Sequence, residues 1–232
     1  EGFTSYIDDV ALNVVLEKGK ALPNANAYKD YFRWVATGLE EPMTTHADRF
    51  KYNDGYGMSA YDKGSIFLSQ LQYVIGKENF DNTLKRYFDD WSFKHPKPID
   101  FIRSAEKVSG LELDWYLLDW AQSTMTIDYS VNSLYGIDNK TRVVLKRIGQ
   151  MGMPIDLRVK LKSGETLDYN IPMTKMRGSK PVGSSTLLKS WSWAKPYYEL
   201  WLDVDSKNIS KITIDPKNEM ADVNRKNNYL VF

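Results

Sequence analysis

Apolar residues in the first half of the chain recur at the spacing of amphipathic helices. Over residues 1–18 they fall at positions i, i+3, i+4 and i+7, which predicts a helix with one apolar face. The same period predicts further helices over residues 28–39, 59–75, 80–91, 98–109 and 113–120, with Ser59 as an N-cap. Residues 40–57 are polar and irregular. We therefore expect a long loop there, and such loops inside compact domains are usually functional or disordered.

The hydrophobic period changes near residue 127, where short apolar or alternating runs replace the helical pattern. Runs of strand length cover residues 143–145, 155–161, 167–171, 198–204 and 209–214. The segment Lys162-Ser163-Gly164-Glu165 separates two of these runs and is typical of a hairpin turn. Short strands about ten residues apart predict an antiparallel β-sandwich. The Gly-, Lys- and Ser-rich residues 174–186 predict an exposed loop.

This change of period predicts two domains in an α+β protein, a helical one over residues 1–128 and a β-sandwich over residues 129–232. The length of 232 residues permits either one large or two small domains. Charge follows the same division, because residues 1–128 carry a net charge of −6 and residues 129–232 carry +7. The basic residues are dispersed and no nucleic-acid-binding motif is present, so we expect no nucleic-acid partner.

The composition excludes several classes of protein and of site. Hydrophobic residues make up 42% of the chain and aromatic residues 13%, which indicates a folded protein. No apolar run approaches the ~20 residues of a membrane-spanning helix. The absence of Cys excludes disulfides and thiol chemistry. The only histidines are His46 and His95 and there is no HExxH, so His and Cys side chains of this chain cannot complete a zinc site.

Several segments, taken in order, resemble the aminopeptidase N-like zinc peptidases, the gluzincin aminopeptidases. The opening Glu1-Gly2-Phe3-Thr4-Ser5-Tyr6 is similar to the family segment (N/D)EGF(A/T)xY. Tyr61-Asp62-Lys63-Gly64 is similar to its YxKG segment, which also precedes an apolar helix. The resemblance covers residues 1–128 and extends more weakly into the second half. There, residues 195–201 and 220–225 are similar to a subgroup from Bacteroidetes-type bacteria.

This resemblance implies that residues 1–128 are the helical carboxyl-terminal part of a thermolysin-like catalytic domain, followed by a β-sandwich. It also implies an enzyme that uses zinc to hydrolyse amino-terminal peptide bonds. In the family, zinc is held by HExxH and by a Glu on the next helix, and Glu1 matches that Glu. Tyr61 matches the catalytic Tyr that donates a hydrogen bond to the oxyanion, and Tyr56 is expected to line the substrate pocket. Lys63 and Gly64 are expected to be structural.

The HExxH motif, with its two His and its general-base Glu, does not occur in residues 1–232. We therefore expect this chain to be a piece of a longer protein that neither hydrolyses substrates nor retains zinc by itself. The expected partners are a peptide substrate and the upstream part of the same catalytic domain. Two alternatives stay open, a non-catalytic relative acting as a binding scaffold and a stand-alone adhesion or carbohydrate-binding module. The cell envelope, the periplasm and the cytoplasm are all compatible with the sequence.

Overall fold

A computed structural model describes every residue from 1 to 232, and these residues form two compact units. The first unit comprises Glu1–Ser109 and Leu113–Met125, and the second comprises Gly110–Glu112 and Thr126–Phe232. All α-helices lie in the first unit and all strands lie in the second. The α+β class is therefore confirmed, whereas the division into domains at residue 128 stays a prediction.

The first unit is built from seven α-helices, and the third and fourth are joined without a break by a π-helical turn. These elements are α1 (Gly2–Val15), α2 (Ala25–Val35), α3 (Asn53–Gly57), the π turn (Met58–Lys63), α4 (Gly64–Ile75), α5 (Lys77–Trp91), α6 (Pro98–Ser109) and α7 (Asp114–Ala121). None of them is both long enough and apolar enough to cross a bilayer.

Helix α4 lies at the centre of the first unit. Its side chains are buried on nearly all sides, which is the pattern of a core helix. Helix α1 packs against it, and the Tyr6 hydroxyl donates a hydrogen bond to Gln72 Oε1 at 2.8 Å. Helix α4 ends at Gly76, which has a φ of 86°. Glycine adopts this conformation without the steric cost that a side chain would add.

Two predictions for the first unit are wrong. Residues 40–57 are not one loop, because a 3₁₀ turn covers Ala47–Arg49 and α3 covers Asn53–Gly57. Ser59 does not cap a helix, because it is buried inside the π turn of a helix that begins six residues earlier. The two glycines of α3 lower its helix propensity, yet Gly55 is buried against Trp34. A Cβ added at Gly55 would lie 3.2 Å from Trp34 Cζ2, so tertiary packing overrides propensity here.

The second unit contains two β-sheets. Its strands are β1 (Tyr129–Ile137), β2 (Lys140–Arg147), β3 (Ile155–Leu161), β4 (Thr166–Ile171), β5 (Thr186–Leu187), β6 (Tyr197–Leu202), β7 (Ile209–Ile214) and β8 (Tyr229–Val231). One sheet has the order β1-β2-β6 and the other the order β5-β4-β3-β7-β8. All pairs are antiparallel except β4 with the two-residue β5, which run parallel, so the predicted antiparallel sheets are confirmed apart from this one edge pair.

The sequence located the central strands of this unit better than its edges. The hairpin turn at residues 162–165 is confirmed, because β3 and β4 pair antiparallel on either side of it. Strands β1, β5 and β8 were not predicted, and all three lie at sheet edges. The prediction that residues 174–186 form one exposed loop is also wrong at its start. A 3₁₀ turn covers Thr174–Met176, and Met176 is fully buried.

Candidate functional site

The predicted metal ligand Glu1 stands immediately before the first residue of α1. Its backbone carbonyl accepts a hydrogen bond from the Ser5 amide at 2.9 Å, which forms the first turn of the helix. Its side chain is exposed and makes no capping hydrogen bond to the helix. The carboxylate is therefore not engaged in holding α1 together and is open to a ligand from outside.

The start of α1 lies against the start of α4 in direct backbone contact. A Cβ built on Gly2 would lie 2.6 Å from the Cα and the carbonyl carbon of Gly64, and one built on Gly64 would lie 2.8 Å from Gly2 Cα. Neither position has room for a side chain, because real Cβ atoms do not approach backbone so closely. Glu1 precedes Gly2 by one residue and Tyr61 precedes Gly64 by three. This contact therefore holds Glu1 beside the turn that carries Tyr61.

Tyr61 lies within the π turn, and its side chain is 44% exposed. Short π segments inside α-helices occur frequently at functional sites. The next residue, Asp62, is partly buried, and burial raises the pKa of its carboxyl above the ordinary range. Repulsion from Asp30 and Asp9 raises the pKa further. Asp62 therefore lies near two other carboxyls, while the neighbouring Tyr61 is partly exposed to solvent.

Lys63 points away from this surface into the interior of the first unit. Its ammonium lies 2.5 Å from Glu40 Oε1 and 3.3 Å from the backbone carbonyl oxygen of Ser123. The side chains of Lys63 and Glu40 are 1% and 7% exposed. Burial raises the pKa of the Glu40 carboxyl, and the attraction to Lys63 opposes that rise. Lys63 thus acts as an anchor within the unit, in line with the structural role expected for it.

Tyr56, the predicted pocket residue, is 40% exposed and lies on α3, five residues before Tyr61. Its ring meets Phe50 edge to face, with ring centroids 5.7 Å apart. A π turn takes in more residues than an α turn, so a spacing of five brings the two tyrosines about one turn apart. The structure therefore places two exposed phenols on neighbouring turns of one helix.

The chain contains no group of three or more His, Asp or Glu side chains that could hold a metal ion. His46 is exposed and accepts a hydrogen bond from the Asp48 amide, and His95 is exposed in the segment before α6. A catalytic zinc site needs three protein ligands, of which Glu1 can supply one. The residues of this chain therefore do not by themselves form a zinc site.

Comparison with known proteins identifies the family of the helical unit. Residues 1–120 match the model described as the peptidase family M1 domain. This match covers more than half of the chain, and the chain therefore belongs to peptidase family M1. Membership supports a peptidase-related, hydrolytic function.

Two individual proteins show the extent of the similarity. The chain is 36% identical over 73 residues to leucine aminopeptidase 2 of Emericella nidulans, covering 27% of this chain and 12% of that protein. It is also similar to the crystal structure of Legionella pneumophila aminopeptidase A in complex with aspartic acid. There the identity is 15% and the TM-score 0.48, over 72% of this chain and 18% of that chain. The chain thus spans less than a fifth of the length of either protein.

Three features of this site were not predicted from the sequence. They are the π turn, the backbone contact between Gly2 and Gly64, and the pairing of Lys63 with Glu40. The sequence contained one signal for this pairing. Residues two apart on a helix face opposite sides, so a Lys two residues after a solvent-facing Tyr faces the interior, where its charge needs a partner. Its partner is 23 residues away in an irregular segment, and no periodicity connects the two.

Proposed function

We propose that this chain supplies one side of the active site of an M1 aminopeptidase, an enzyme that removes residues from the amino terminus of peptides. The observation that carries the proposal is the backbone contact between Gly2 and Gly64, which keeps Glu1 beside the turn of Tyr61. In this proposal Glu1 is a zinc ligand, Tyr61 is a hydrogen-bond donor to the substrate, and Tyr56 lines the substrate pocket.

The exposure of these side chains supports the roles assigned to them. A Glu that binds zinc needs a carboxylate that is not hydrogen-bonded to its own helix. The Glu1 side chain makes no capping hydrogen bond to α1. A donor for a developing oxyanion must be reachable from solvent on a rigid element. Tyr61 is partly exposed and lies in the π turn that leads into the buried helix α4. Such donors act on the oxygen that becomes negative when the scissile carbonyl turns tetrahedral.

The remaining ligands of the zinc site belong, in this proposal, to a part of the protein outside residues 1–232. Residues 1–128 are then the helical part of the catalytic domain, and residues 129–232 are the β-sandwich that follows it. The partners are the rest of the catalytic domain and a peptide substrate. The bacterial subgroup suggested by residues 195–201 and 220–225 is part of the same proposal.

The test uses the complete protein that contains this chain. We expect it to hydrolyse aminoacyl arylamides, to lose activity on dialysis against a chelator and to regain activity with zinc. Residues 1–232 expressed alone should show neither hydrolysis nor zinc retention, because one carboxylate cannot define a site. A complete protein that binds zinc but cleaves no aminoacyl substrate would favour the non-catalytic scaffold instead.

A further inference from the structure

A buried ion pair lies under the turn that carries Tyr61. Lys63 Nζ is 2.5 Å from Glu40 Oε1, and almost none of either side chain reaches solvent. Burying such a pair gains little stability, because the cost of removing two charges from water offsets their mutual attraction. A stabilising role alone therefore explains this pair poorly, and its position under Tyr61 suggests a second role.

We infer that Lys63 and Glu40 are positioning residues for Tyr61, and this inference rests on the catalytic role proposed for Tyr61. The pair fixes the rotation of the π turn, so that the phenol points outward at a defined angle. Neither side chain is expected to touch the substrate, since both are buried in the interior of the helical unit.

The geometry of the helix links the two positions. Residues two apart on a helix do not share a face, so the side chain of Lys63 points inward while that of Tyr61 points outward. Any rotation of the turn that moved Tyr61 would also pull the ammonium away from Glu40. Holding the ammonium in place therefore holds the direction of the phenol.

Three separate segments meet at this ammonium. Glu40 lies in the segment after α2, and the Ser123 carbonyl lies just beyond α7. The next residue, Gly64, is held by its backbone contact with Gly2. The π turn is thus fixed from the core side by Lys63 and from the side of α1 by Gly64. Such constraint suits a group that must act in one orientation.

An exposed pair in the same unit provides a matched control. Lys77 Nζ lies 2.6 Å from Asp81 Oδ2 on α5, but these side chains are 73% and 44% exposed. Exposed pairs of this kind contribute little, and this one is far from the π turn in sequence. Loss of Lys77 should therefore leave both stability and activity nearly unchanged.

The experiment compares Lys63→Met, the double variant Lys63→Met with Glu40→Leu, and the control Lys77→Met in the complete protein. Zinc content, Tm, kcat and KM are measured for each. We expect Lys63→Met to lower Tm and to lower kcat about 10²-fold, the effect typical of a misplaced catalytic group. The double variant should recover Tm, because no unpaired charge remains buried, but kcat should stay low. If kcat recovers together with Tm, the pair serves stability alone and the inference is wrong.

A double-mutant cycle with Tyr61→Phe separates this inference from the function on which it rests. If Lys63 acts through the phenol, Lys63→Met should cost little further kcat once the hydroxyl is gone. An equal loss in both backgrounds would overturn the positioning role while leaving Tyr61 catalytic. Normal kcat in Tyr61→Phe with zinc bound would instead overturn the proposed role of Tyr61 itself.

Discussion

Gly2 and Gly64 meet through their backbones, with no space for a side chain on either residue. The contact joins the first residue of α1 to the first residue of α4. Both glycines stand beside residues to which we assign chemistry, Glu1 on one side and the Tyr61 turn on the other. Their small size is therefore a requirement of the candidate site as well as of helix packing.

Replacing Gly64 by Ala should separate the two helix starts. The new Cβ would lie 2.8 Å from Gly2 Cα, and overpacking of this kind costs about 1–3 kcal/mol. Gly57→Ala is the control, since a Cβ there meets nothing within 4 Å and helix propensity improves by about 1 kcal/mol. Thermal unfolding of the complete protein should show Tm lowered by Gly64→Ala relative to Gly57→Ala. Equal Tm values would show that α1 can move aside without cost.

Tyr61→Phe should lower kcat in the complete protein by about 10²–10³, the loss typical of one oxyanion donor. Zinc content and Tm should stay near those of the parent, because the ring and its packing are kept. Tyr52→Phe is a matched control, being an exposed Tyr with no assigned role. Steady-state kinetics on aminoacyl arylamides distinguish the two variants. Unchanged turnover in Tyr61→Phe would assign this ring to packing instead.

Glu1→Gln should weaken zinc retention more than it changes any other property of the protein. A neutral amide replaces an anionic ligand, and zinc sites favour carboxylate oxygen over amide oxygen. Glu17→Gln, two residues beyond the far end of α1, removes an equal charge and should retain zinc. Metal content after dialysis against a chelator checks the prediction. Equal zinc in both variants would remove Glu1 from the ligand set.

Two carboxyls of the second unit should titrate far above the usual range for Asp. Burial raises the pKa of both Asp215 and Asp222 to about 6, although each accepts two backbone N–H hydrogen bonds. The guanidinium of Arg158 instead lowers the pKa of Asp168 below its usual value. Carboxyl ¹³C shifts followed by NMR across pH 2–8 should separate the three groups. A midpoint near 4 for Asp215 or Asp222 would contradict the predicted effect of burial.

These shifts have opposite consequences for stability. A carboxyl whose pKa is higher in the folded than in the unfolded state binds more protons when folded. Asp215 and Asp222 should therefore stabilise the fold as the pH falls from about 7 to 4, by up to about 3 kcal/mol each. The contribution of Asp168 has the opposite sign, since it is present above the unfolded pKa and is lost at more acidic pH.

The parts of the fold that the sequence predicted are those whose own residues carry the pattern. Strands β3 and β7 have the predicted bounds, because apolar and polar residues alternate along β3 and three isoleucines recur at close spacing along β7. Helix α3 was missed because its two glycines resemble a loop, and burial of Gly55 against Trp34 is invisible in the sequence. The same limit applies to the site. Glu1 and Tyr61 were selected by resemblance, but the link between Glu40 and Lys63 depends on chain segments brought together by folding.

The π turn makes this part of the chain sensitive to its length as well as to the identity of its residues. Such a turn closes its hydrogen bonds over one more residue than an α turn. Removing one residue from Met58–Lys63 would let a regular α-helix form, and each residue lost turns the preceding helix by about 100° relative to α4. The phenol and the ammonium would then leave their opposite faces even if both residues were kept. Related sequences should therefore conserve the number of residues in this segment as well as the Tyr and the Lys within it.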